Sequence, residues 1–121
     1  MKEVIKVHIL KTWPDLFESL TAPLEGRKTV ELRFNDRDFQ PGDILVLLEY
    51  GPETAHEKQY TGRHCVRVVT HVFSDTKFLK EGHAALSIRE PKKKDMVDTY
   101  EISRTTFTQD GPVFMTGIHG G

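Results

Sequence analysis

Apolar and polar positions alternate over VIKVHIL, from Val4 to Leu10, with Ile5, Val7 and Ile9 on one face and Lys6 and His8 on the other. A period of two assigns a first strand. The spacing then changes. In TWPDLFESLTA the apolar Trp13, Leu16, Phe17 and Leu20 recur at helical intervals, Pro14 falls in a first turn, and Asp15 and Glu18 sit near the positive end of the helix dipole. This segment predicts a short amphipathic helix, closed by Pro23 and Gly26.

Alternation returns in TVELRF, which predicts a second strand with Val30, Leu32 and Phe34 turned inward and Thr29, Glu31 and Arg33 on the opposite face. The loop NDRDFQ leads to Pro41-Gly42, a tight-turn dipeptide, and then to DILVLLEY, whose apolar run suits a strand covered on both faces. The polar GPETAHEKQ reads as the loop of a long hairpin returning along YTGRHCVRVVTHVF, and HAALSIR supplies a fifth strand. This order predicts an α+β fold, a small and partly closed β-barrel of about five or six mostly antiparallel strands with one or two short flanking helices. Residues 1–90 form that domain. Residues 91–121, basic at Lys92-Lys93-Lys94 and Gly-rich at the end, read as a peripheral extension with room for one more strand around Tyr100 to Phe107.

Composition narrows the function classes more than it names one. A chain of 121 residues fits a single core, and 37% hydrophobic with 29% charged residues is the balance of a folded globule. No apolar run approaches the roughly 20 residues that cross a bilayer, and the N-terminus lacks the unbroken apolar region of a signal peptide, so a cytoplasmic location is expected. Seventeen basic against eighteen acidic residues leave a formal charge of -1. Nucleic-acid contact must therefore come from a local patch. The lone Cys65 forms no internal disulfide and reads as a small strand residue. The histidines at 8, 56, 64, 71, 83 and 119 lack metal-ligand spacing, and neither a P-loop nor a dinucleotide fingerprint is present, so neither metal nor cofactor is expected.

Charge is concentrated at one place. Lys28, Glu31, Arg33 and Asp36 fall within nine residues, at a junction of turn, strand and loop. Such a set can supply a carboxylate base, a lysine of lowered pKa and an arginine clamp for phosphate; it can equally be an ion-pair cluster that fixes the strand entrance. Strict alternation separates Lys28 from Glu31 and Arg33, so the three meet only if Lys28 belongs to the turn. His8 and Lys11 bring an imidazole and a cation to the same neighbourhood, or else His8 is a polar-face strand residue. Trp13 offers a stacking surface for a base or a core contact, and Tyr50 and Tyr60 face a cleft or simply pack the hairpin. Lys11, Arg27, Lys28, Arg33, Arg37, Arg63 and Arg67 would form a basic track if the hairpin folds over the cleft. Glu31, Asp36 and Asp38 interrupt it, which favours one nucleotide or flipped base over a long duplex.

The stretches HILKTWPDLF, GRKTVELRFNDRDFQPGD, LVLLEY and YTGR together resemble small proteins of the ASCH group in the PUA-like superfamily, over about residues 5 to 90. The group's G-x-K-x-x-E-x-R segment and later Gly-Asp turn are matched by Gly26, Lys28, Glu31, Arg33, Gly42 and Asp43. The resemblance implies a β-barrel with a cleft beside its flanking helix, suited to RNA. It also implies an alternative, because some similar members hydrolyse acylated cytidine nucleosides and others cut RNA. In the amidohydrolase branch a lysine precedes a catalytic threonine by three positions; Lys28 matches the first, and Glu31 stands at the second. The expectation is thus a module that binds RNA or a modified nucleotide through His8, Lys11, Arg33, Asp36, Arg37, Tyr50 and Arg63, without a membrane partner and by default monomeric. As a hydrolase it would use Lys28 and Glu31 as catalytic residues.

Overall fold

The structure, a computed structural model, describes residues 5–52, 55–97 and 105–109. Strand β1 (Ile5–Thr12), helix α1 (Pro14–Thr21), strands β2 (Val30–Phe34), β3 (Ile44–Gly51), β4 (Gln59–Phe73) and β5 (His83–Arg89), helix α2 (Lys93–Val97) and strand β6 (Thr105–Gln109) follow in that order. The strands form one six-stranded sheet in the order β2-β5-β4-β3-β1-β6, curled into a half-barrel. Three pairings are antiparallel, β2 with β5, β5 with β4 and β4 with β3, whereas β1 runs parallel to both β3 and β6. Chain length permits the parallel β1–β3 pair: α1 and β2 lie between them in sequence and give the crossover that a parallel pair requires. Of the strand expected around Tyr100 to Phe107, residues 100–104 lie outside the described residues, and β6 starts at Thr105.

The core lies in the concave face. Leu45 and Leu47 of β3, Val69 of β4, and Ala84, Leu86 and Ile88 of β5 meet Leu10 of β1, with Leu20 of α1 and Phe39 of the loop closing over them. Cys65 packs partly buried against this cluster, and burial pushes its thiol pKa up. Helix α1 follows its apolar stripe, with Phe17 and Leu20 buried, but Leu16 stays partly exposed. Its last turn contains no basic residue, and β4 supplies one: buried Arg67 donates to Leu20 O at 2.7 Å, where the carbonyl end of the dipole accepts it. The alternation of β4 breaks at Thr70, where the register with β5 shifts between Val69 and His71 and both Val68 and Val69 become buried.

Strand β2 reverses the expected orientation. Glu31 is 3% exposed, whereas Val30, Leu32 and Phe34 are 41%, 65% and 58% exposed. The period of two was legible; the face was not, because alternation fixes which residues share a side and leaves open which side is covered. The inner side of β2 is where the charges find partners.

The loop between β2 and β3 is fixed from within. Pro41-Gly42 occupies the centre of a turn in which Asp43 N–H donates to Gln40 O at 3.0 Å, and Gly42 takes φ +95°, the left-handed value that this turn demands. Asp43 accepts from His8 Nε2 at 2.8 Å and from Gln40 N–H at 2.9 Å, and the His8 ring lies 4.6 Å from that of Phe39. Both members of this His8–Asp43 pair are buried. Removing the carboxylate strands the buried His8 ring donor and a part-buried Gln40 N–H, so Asp43→Ala is expected to cost about 2 kcal/mol. Urea denaturation with an unchanged slope measures it.

Candidate functional site

A cleft of about 750 Å³ opens between β2, the end strand of the sheet among the described residues, and the junction of β1 with α1. Lys11, Thr12, Trp13 and Leu16 line one wall, the segment from Lys28 to Phe34 lines the other, and Tyr50 and His83 complete it. Each wall has a local cause. Trp13 is the residue before Pro14, extended at ψ 152°, so the chain leaves β1 and enters α1 at the cleft rim. On the other side, β2 begins only at Val30, which leaves Lys28 in the preceding loop and free of strand alternation. Its backbone N–H donates to Ser19 O at 2.9 Å, anchoring that loop against α1.

Lys28, Glu31 and Arg33 consequently converge. Lys28 Nζ lies 2.5 Å from Glu31 Oε1 and also bonds Val30 O, while Arg33 Nε donates to Glu31 Oε2 at 2.8 Å. One buried carboxylate is gripped by two cations, which offsets its desolvation. Arg33 Nη2 continues across to Lys11 O at 2.7 Å, so the guanidinium ties the wall built on β2 to the wall built on β1. Lys11 Nζ sits 4.8 Å above the Tyr50 ring, and Tyr50 lies 6.2 Å from Trp13 and 4.8 Å from Tyr60. The site therefore joins an aromatic face to a charged triad.

Four residues expected at the site lie elsewhere. His8 is fully buried against Asp43 and Phe39. Asp36 is exposed on the loop, and its neighbour Arg37 lies 3.7 Å from it and reaches Ile9 O at 3.4 Å. Arg63 is bound to Glu49 through Nε at 2.9 Å and Nη2 at 2.7 Å, meets Glu18 at 2.7 Å, and stands over the Phe17 ring at 4.9 Å. With Arg27 on Glu90 and Arg67 on Leu20 O, the extended basic track does not form. Lys11, Lys28 and Arg33 are its members in the cleft.

Sequence reasoning passed over Thr12. It is 4% exposed, lines the cleft, and its Oγ1 has no hydrogen-bond partner among the described residues. The alternation of β1, extended two residues beyond Leu10, puts Thr12 on the inner face with His8 and Leu10 and signals the position. The apolar rim of Leu16, Val30, Leu32 and Phe34 was also missed, because β2 was read the other way round.

The Glu49–Arg63 pair shapes the wall by pinning β3 and β4 to α1. Hydrogen bonds from the Arg63 guanidinium hold the Glu49 carboxyl below its ordinary value despite burial, with a further contribution from Thr61 at 2.5 Å. A carboxyl whose folded pKa lies below its unfolded one stabilises the fold above the unfolded value, near 4.5, and loses that contribution as pH falls through the folded value. The wild-type protein is therefore expected to lose stability below about pH 4.5 more steeply than Glu49→Gln, as read by chemical denaturation at stepped pH.

No curated protein matches the sequence. Residues 7–88, which span every feature of the cleft, match the model of a family described as a domain of unknown function (DUF3850), and the chain belongs to that family.

Proposed function

We propose that this protein is a PUA-like module of the ASCH type that binds RNA or a modified nucleotide by taking one nucleotide into the cleft. The observation that carries the reading is the meeting of the Trp13–Tyr50 aromatic face, with Lys11 above it, and the Lys28–Glu31–Arg33 triad. A base needs an apolar face to stack on and polar atoms along its edge; a phosphate needs cations, and the cleft lining holds three against one carboxylate. Its volume falls within the range of small-ligand pockets, roughly 300–1,000 Å³. Thr12 adds a hydroxyl able to donate or accept toward a bound base.

The same hydroxyl favours a second reading, hydrolysis of an acylated cytidine nucleoside or of single-stranded RNA. Glu31 occupies the position of the threonine in the resembling amidohydrolases, and Thr12 brings a threonine to the cleft from a different strand. Lys28 would then act as base or activator, Glu31 as proton carrier and Arg33 as the clamp on the developing oxyanion.

One titration series addresses both. With short single-stranded RNA, log affinity is expected to fall against log salt with a slope of about -1 to -2, the signature of one or two phosphate contacts rather than a track. Lys11→Ala and Arg33→Ala should each weaken binding by about tenfold, or ~1.4 kcal/mol, and Trp13→Ala by at least as much. Affinity that ignores all three changes rejects the cleft. Turnover of either substrate that disappears in both Lys28→Ala and Thr12→Val establishes the hydrolytic reading, and none in the wild type removes it.

A further inference from the structure

Strand β2 is an edge strand, and the outer face it presents is apolar. Among the described residues it pairs with β5 alone. Natural edges are commonly guarded by charges or proline on the outward side; here that side holds Val30, Leu32 and Phe34. Cross-strand pairing continues the face inward through Leu32, Ala85 and Phe73, with the Phe78 ring 6.2 Å from that of Phe73. The Phe34 ring lies against Gly82, at φ +84°, where a Cβ would come within 2.6 Å of it.

The hydrogen bonds to β5 fix which groups point to the free edge. Thr29 O accepts from Ile88 N–H at 2.9 Å, and Asn35 N–H donates to Gly82 O at 2.7 Å. Odd-numbered positions therefore face β5. Val30, Leu32 and Phe34 turn their amides and carbonyls to the edge, as the Lys28 contact on Val30 O confirms.

We propose that this edge pairs with β2 of a second copy of the chain, antiparallel and with the two-fold axis at Leu32. Edge amides on even positions restrict an antiparallel partner to registers that place even residues opposite even ones. Shifting the centre from Leu32 to Glu31 puts Glu31 against itself, and shifting it to Arg33 puts Arg33 against itself. Centred on Leu32, Glu31 faces the second copy's Arg33, Lys28 faces its Asp36, and Val30 faces its Phe34. Only that register is complementary in charge on the inner side while also matching apolar residues on the outer one. It also pairs all five residues of the strand. Glu31 and Arg33 then stand in non-hydrogen-bonded pairs, where side chains approach most closely. Val30 O has two lone pairs, so it can keep Lys28 while accepting the second copy's Phe34 N–H. Because Val30, Leu32 and Phe34 also line the cleft, each copy's β2 would then stand at the mouth of the other's cleft.

Sedimentation velocity of the full chain from micromolar to about 0.5 mM, with amide exchange of residues 30, 32 and 34 followed over the same range, tests this. The expected result is a monomer-dimer equilibrium, with those amides gaining protection as dimer forms. Leu32→Lys, which brings two ammonium groups together at the axis on an exposed position, should stay monomeric throughout, and Leu32→Cys should form an intermolecular disulfide in the dimer. Glu31→Arg and Arg33→Glu should each fail to self-associate but pair with one another on mixing, provided both retain wild-type circular dichroism. A wild type that is monomeric at every concentration overturns the proposal, as does a dimer unaffected by Leu32→Lys. Edge amides protected in the monomer would place a segment of the same chain on the edge, and protection only on adding RNA would place RNA there; either result also overturns it.

Discussion

One buried carboxylate decides the character of this molecule. Glu31 is enclosed between Lys28 and Arg33, and an uncompensated charge at that depth would cost several kcal/mol. Because side chains alternate along a strand, directing Glu31 and Arg33 inward obliges Val30, Leu32 and Phe34 to face outward. The charged inner lining of the cleft and the apolar residues that turn outward at its rim are thus two results of a single choice of parity. Reversing it would bury the apolar trio conventionally and remove the charged wall of the cleft.

The rest of the fold serves to hold that arrangement. Arg33 reaches across to Lys11 O, and the Lys28 backbone is tied to Ser19 O, so both walls are fixed to the β1–α1 junction. Behind them, the His8–Asp43 pair locks the loop that follows β2, and Arg63 and Arg67 fasten α1 to β4. These cations are engaged in architecture. In the cleft, Lys11, Lys28 and Arg33 stand against the one carboxylate of Glu31, which leaves its lining with an excess of positive charge.

Much of this was legible in the residues. Strands β1, β2 and β4 and the first helix are signalled by their periodicity, β3 by its apolar run, and the Pro41-Gly42 turn by its dipeptide. The concentration of charge between Lys28 and Arg33 marked one wall of the cleft. Four things were hidden for identifiable reasons. The parallel placement of β1 against β3 is set by a crossover that local pattern does not encode. The face of β2 depends on ion pairs with a lysine outside the strand, and periodicity has no sign. Arg63 and His8 have the residue types of a binding site, and only their packing against Glu49 and Asp43 shows them committed to structure. Thr12 went unnoticed because a threonine at a strand end has no distinguishing chemistry until its surroundings are known.

The most direct test of the cleft is a chemical-shift map of the ¹⁵N-labelled protein titrated separately with the four nucleoside monophosphates and with a short single-stranded RNA. Binding in the cleft requires saturable shifts at Lys11, Thr12, Trp13, Lys28, Glu31, Arg33 and Tyr50, with the backbone around His8 and Arg63 little affected. Shifts centred on Arg63, Arg67 or the Lys92–Lys94 run, or no saturable shift with any of these ligands, would contradict it.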